Sequence, residues 1–165
     1  MAIQETTTVN APIDRVIEAY ASEDFARFVC EKMGIGFEGL EVSGDTSGAF
    51  SAVSKRSVAA DRVPDIAQKF VSKGLQMTQS DTVSAPSADG SRTISSDIKV
   101  SGMPVSARAT QKLTASADKT VIEVSGQVSC SIPLVGKKIA VAAEPYVGKV
   151  LSKLGSLVEQ WVAQN

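Results

Sequence analysis

Gly136-Lys-Lys-Ile-Ala-Val-Ala-Ala-Glu-Pro-Tyr-Val-Gly-Lys-Val-Leu-Ser-Lys-Leu-Gly-Ser-Leu-Val-Glu-Gln-Trp-Val-Ala-Gln164 repeats its apolar side chains with the period of a helix. Ile139, Ala142, Ala143, Tyr146, Val147, Val150, Leu151, Leu154, Leu157, Val158 and Trp161 fall on one broad stripe, and Lys138, Lys149, Lys153 and Glu159 lie away from it. At 1.5 Å per residue such a helix is about 43 Å long, comparable with the diameter of roughly 40 Å expected of a compact chain of this size. Only a surface as wide as a sheet covers that face. Pro145 removes one backbone bond and predicts a bend that lets the helix follow a curved partner.

Upstream of this segment the period is mostly that of strands. Ala2 to Val9 is Thr-rich and alternates. Two short helices are expected next. The first has Asn10 as its cap, Pro12 in its first turn and Ile13, Val16, Ile17 and Tyr20 as its stripe. The second has Ser22 as its cap, with Phe25, Phe28, Val29 and Met33 at helical spacing before Gly34. Phe37 to Gly44 and Ala49 to Ala59 read as strands joined at Asp45-Thr-Ser-Gly48, and Val63 to Val71 as a short helix stopped by Gly74. Turn signals at 84–91, 101–104 and 117–119 cut the rest into four strands. In these, Leu75, Met77 and Val83, then Ile94, Ile98 and Val100, then Val105, Ala107, Ala109 and Leu113, then Ile122, Val124, Val128 and Cys130 take the inward positions. Such short connections make a meander.

Length and charge narrow the functional classes. A chain of 165 residues with 43% hydrophobic content suits one domain spanning 1–165. Lys plus Arg number 17 against 18 Asp plus Glu, so no net field draws nucleic acid or anionic membranes, and nucleic acid is not an expected partner. The N-terminal residues lack the pattern of a signal peptide, and no apolar run is long enough to span a bilayer. A soluble cytoplasmic protein without stable membrane insertion is the expectation, either a monomer or a weak dimer. Cys30 and Cys130 have no metal-type spacing and read as small core or surface residues. Aromatic content is only 5%, which fits either a core of small side chains or an interior left partly open.

The order strand, helix, helix, six strands, long C-terminal helix resembles the START-like superfamily, also called SRPBCC or helix-grip, which includes polyketide cyclases and lipid-transfer domains. Ser129-Cys-Ser-Ile-Pro-Leu-Val-Gly-Lys-Lys-Ile139, Ser101-Gly-Met-Pro-Val105 and Val158-Glu-Gln-Trp-Val162 are similar to an uncharacterised domain-of-unknown-function family of that superfamily, found mainly in actinobacteria. The resemblance covers nearly the whole chain. It implies an α+β helix-grip fold: a curved seven-stranded antiparallel sheet wrapped on a long C-terminal helix, with two short helices after strand 1. It also implies a hydrophobic cavity between sheet and helix. The expected helix at Val63 to Val71 departs from the simple turn common in the superfamily, so no ligand-access loop carries over there. The fold by itself names no activity.

Histidine is absent, which removes the commonest general base and metal ligand and every Ser-His or Cys-His nucleophile pair. No metal site and no cofactor is expected. Glu23, Asp24 and Glu31 read as a solvated helix face before a catalytic cluster, and Lys137-Lys138 as a solvated helix start before an anion site. Polar residues that share parity with apolar ones are more informative. Gln111, Ser96 and Gln79 stand on inward positions, where each is satisfied by protein neighbours, is turned outward by a bulge or strand end, or faces a ligand. The candidate lining of a cavity is therefore Met77, Gln79, Ser96, Ile98, Ala109, Gln111 and Val124 from the strands. Tyr146, Val147, Val150 and Leu154 complete it from the helix. The leading expectation is a binding or carrier protein for a small hydrophobic molecule or lipid. The alternatives are a cyclase- or hydrolase-like enzyme, with Asp81 as its best carboxylate by parity, or an interaction module without a ligand.

Overall fold

The computed structural model describes residues 2–63 and 65–165. The chain opens with β1 (Ala2–Val9), then α1 (Ile13–Tyr20) and α2 (Glu23–Met33). Ser22 caps α2 as expected, its hydroxyl accepting from the Phe25 N–H at 3.3 Å, and Gly34 closes the helix at φ 69°, a conformation that favours glycine. Asn10 does not cap α1. The helix begins one residue after Pro12, which itself occupies the cap position without a side-chain bond, and the Asn10 N–H instead donates to Glu159 Oε1 at 2.6 Å.

Next come β2 (Gly36–Gly44), β3 (Phe50–Val58), a 3-10 turn (Ala60–Arg62) and α3 (Asp65–Gln68). The helix expected over Val63 to Val71 is thus one α-helical turn, with Pro64 outside the described residues. Its continuation is tighter, Phe70 and Val71 bonding three residues back, and Gln68 Nε2 turns to the Val63 carbonyl at 2.9 Å. Strands β4 (Leu75–Val83), β5 (Arg92–Ser101), β6 (Val105–Ser116) and β7 (Lys119–Cys130) follow, and α4 (Gly136–Gln164) ends the fold, running through Pro145 as one helix.

The seven strands form one curved antiparallel sheet in the order β1-β7-β6-β5-β4-β3-β2. Strands β2 to β7 are a meander, and β1 returns to the β7 edge. α4 lies along β1 and β7 and meets α1, α2 and α3. Its approach to β1 is close: a Cβ on Gly155 would stand 2.7 Å from Thr7 Cγ2.

Apolar burial gathers in three places. The main cluster joins α1, α2 and the end of α4 to Phe50, Val83, Ile94, Leu113 and Ile122, with Phe25 and Trp161 edge to face at 5.7 Å. A second unites Val63, Ala67, Val71, Met103 and Ile139, and a third Ile3, Val128 and Ala140. Each fully buried aliphatic side chain contributes about 1.5–3 kcal/mol.

Candidate functional site

Directly paired residues of neighbouring antiparallel strands share a face. Ile3 and Val128, packed with Ala140 of α4, mark the inner one. The register extends it across the sheet in rows. Val124, Gln111, Ile94, Val83 and Phe50 make the first, and Gly126, Ala109, Ser96, Asp81 and Ala52 the second. Val128, Ala107, Ile98, Gln79 and Ser54 make a third, and Val100, Met77 and Arg56 a fourth. The main core closes the first row, while Val100 packs against the cluster around Met103 and Ile139. Between these two ends Met77 and Ile98 face inward, yet they stay half-buried and belong to none of the three clusters.

A polar run crosses this middle band. Ser96 Oγ donates to Asp81 Oδ1 at 2.6 Å, and Gln79 Nε2 donates to both Asp81 oxygens at 3.0 and 3.1 Å. Arg56 Nη2 donates to Gln79 Oε1. The Gln79 amide therefore spans the two charges, its oxygen towards the cation and its nitrogen towards the anion. Arg56 Nε is buried with no partner among the described residues. Burial lowers the Arg56 guanidinium from its ordinary value, opposed by Cys30 and Asp81. From α1, the Tyr20 phenol is held well above its usual range by burial and, secondarily, by the charge of Asp81. From α2, burial raises the Cys30 thiol against the pull of Arg56. Such an array can hold a polar or charged group by hydrogen bonds while the surrounding side chains accept an apolar body.

The sequence-predicted lining divides. Ser96 and Val124 are buried, the first bonded to Asp81 and the second inside the main core. Gln79 is on the inner face, satisfied by Arg56 and Asp81, while Gln111 is there without a hydrogen bond to another described residue. Ala109 and Leu154 pack on the main cluster and Val147 on the third. Tyr146 and Val150 are 50% and 42% exposed and do not join the buried core. They lie on a flank of α4 that is covered only at its ends, at Ile139 by the second cluster and at Leu157 by the main one. Glu23, Asp24, Glu31 and Lys137-Lys138 are exposed, as a solvated surface requires. Cys30 is buried, whereas Cys130 is half-buried, and both are free thiols.

Arg56, Tyr20 and Cys30 were missed as site residues. Arg56 was accessible to sequence reasoning, because it shares parity with Phe50 and Ala52 along β3. Tyr20 and Cys30 were not, since only the tertiary approach of α1 and α2 brings them to Asp81 and Arg56. An open depression of about 660 Å³ is lined mostly by residues of the opposite face of the sheet, among them Ser80, Thr82, Asp97, Arg108, Thr110 and Gln127, and it also touches Ser96, Ala109 and Gly126, so it meets the run at Ser96. Among the described residues no group of three or more acidic or cysteine side chains is placed to hold a metal, and no helix is long and apolar enough to cross a membrane.

Solved structures share the architecture. Ara h 8.0201 is 15% identical over 100% of this chain and 99% of its own, with a TM-score of 0.59. The Zhui aromatase/cyclase from Streptomyces sp. R1128 is 14% identical over 97% and 92%, with a TM-score of 0.62. A START superfamily protein from Mycobacterium smegmatis is 12% identical over 99% and 97%, with a TM-score of 0.58. At these identities the likeness establishes the START-like helix-grip fold and nothing finer. No curated protein matches the sequence. Residues 4–162, which run from β1 to the last turn of α4 and so take in the inner face and its polar run, match the family described as Protein of unknown function (DUF2505), and the chain belongs to that family.

Proposed function

We propose that the protein binds a small, largely hydrophobic molecule between the inner face of the sheet and α4, as a carrier or binding protein. The observation that carries this reading is the middle band of the inner face. Met77 and Ile98 are apolar and inward, yet join no core cluster, and they adjoin the hydrogen-bonded run Arg56–Gln79–Asp81–Ser96. An interior meant only for packing would close over such residues. The likeness to an aromatase/cyclase and to a START superfamily protein supports the same reading at the level of fold. Two free thiols fit a reducing compartment, and we place the protein in the cytoplasm on that basis.

Native mass spectrometry of the purified protein, with organic extraction of what it carries, tests the proposal. A one-to-one apolar adduct is expected, and a saturating ligand at about 100 times its Kd adds about 2.7 kcal/mol of stability. A protein that carries nothing and whose melting point no apolar probe shifts would refute it.

The half-buried place of Asp81 favours a second reading, an enzyme of the cyclase or hydrolase kind acting on a hydrophobic substrate. In that case Asp81 relays a proton to or from the bound molecule. Wild type then turns over a substrate from a panel of activated apolar esters and polyketone mimics, and Asp81→Asn loses that turnover while still binding. Equal turnover by the two proteins would remove Asp81 from the chemistry.

A further inference from the structure

We propose that the molecule held by the inner face carries an anionic oxygen group, a carboxylate in its simplest form, bound by the donors of Arg56 that Gln79 leaves free. The proposal rests on the ligand-binding reading above and adds the chemical class of the ligand.

A donor count carries it. A guanidinium has five N–H groups in a planar fork and no acceptor. Arg56 gives one bond to Gln79 Oε1, and its Nε is buried with no acceptor among the described residues. Buried donors are nearly always satisfied, so one left open on the inner face needs a partner from outside the chain. Asp81 is the nearest carboxylate in the run and does not supply it. The Gln79 amide stands between the two, and both Asp81 oxygens already accept, from Gln79 and from Ser96. The negative charge is thus consumed within the run while the positive one keeps unused donors.

Two further donors lie on the same interior. Tyr20 packs against the main core and makes no hydrogen bond to another described residue, and neither does the Gln111 amide on the neighbouring row. Asp81 repels an anion, but Gln79 and Ser96 partly offset its charge, and the fork of Arg56 matches a carboxylate in shape as well as sign. A ligand without an acceptor would leave the Nε–H unsatisfied, and a neutral acceptor would satisfy it without answering the charge of the guanidinium. An oxyanion with an apolar body satisfies it and covers Met77 and Ile98 at once.

Paired probes that differ only in charge test this. cis-Parinaric acid and its methyl ester, and 2-naphthoic acid and its methyl ester, are titrated into wild type, Arg56→Met and Arg56→Lys. Thermal melting checks that each variant is folded. In at least one pair the acid is expected to bind wild type roughly tenfold or more tightly than the ester, the scale of a charge-assisted bond. Arg56→Met should narrow the difference to about twofold, and Arg56→Lys should retain part of it. Should Arg56→Met not fold, Arg56→Gln takes its place in the same comparison. Acid and ester binding equally would overturn the inference and leave the ligand-binding reading standing. An acid preference that survives Arg56→Met would overturn the assignment to Arg56. Neither member of either pair binding would take down the ligand-binding reading and this inference with it.

Discussion

Asp89 stands in the turn between β4 and β5, where the Ser87 hydroxyl and the Ser91 N–H both donate to its carboxylate and lower its pKa to about 2. Because these bonds favour the charged form, the stability they lend is present above the unfolded value of about 3.9 and is lost as pH falls towards 2. An NMR carboxyl titration of Ser87→Ala should show Asp89 moving up towards 3.9, and an unmoved value would discount the hydroxyl. Inside the fold, truncations should sort by cluster. Leu113→Ala empties a fully buried site and should cost about 2–5 kcal/mol, whereas Ile98→Ala, in the open band, should cost under about 1.5 kcal/mol in denaturant unfolding without ligand. Equal costs would mean that the band is closed core. Strand parity was enough to place Gln79, Ser96, Ile98 and Gln111 on the inner face. It could not show that Tyr146 and Val150 stand exposed, because a helical stripe records which side is apolar and not how much of that side a neighbour covers. Asn10 shows the same limit at a helix end, where its N–H serves a distant glutamate on α4.

Among the elements, α4 was legible from end to end, since a 29-residue apolar period has few other readings. Helix α3 was legible as a short helix but not in its extent, Asp65–Gln68 within the expected Val63 to Val71, because so few residues carry too little period to fix its ends. Two glycines of α4 test how it lies on the sheet. A Cβ at Gly148 would meet only Glu5 Oε1 at 3.5 Å, an ordinary contact, so Gly148→Ala should stabilise by about 0.5–1 kcal/mol through helix propensity. At Gly155 the same Cβ would come 2.7 Å from the Thr7 methyl, so Gly155→Ala should forfeit that gain and destabilise by about 1–3 kcal/mol. If chemical denaturation finds both variants equally stabilised, the helix rides higher on β1 than described. The thiols offer a further check on how α2 is seated. Cys30 is buried and its thiol raised, whereas Cys130 is half-buried, so a disulfide reagent at pH 8 should label Cys130 first and Cys30 only on unfolding.

For the whole molecule, a sheet whose strands all pair in one series and a helix that touches both of its sequence ends predict one cooperative unfolding transition, seen alike by far-UV circular dichroism and Trp161 fluorescence. Separate midpoints would divide the fold into independent units. The helix-grip architecture was readable because every strand has a neighbour in sequence except one. That exception, β1, has a consequence for the protein's birth. Its residues 2–9 pair with 120–127, so the first strand of the fold to be synthesised waits for the last. The meander can form while the chain is still being made, but α4 has no seat until β1 has joined β7. A nascent chain stalled before residue 119 should therefore expose a thread of threonines and an open sheet edge to chaperones, and its closing step should be slow for its size, as long-range pairings are.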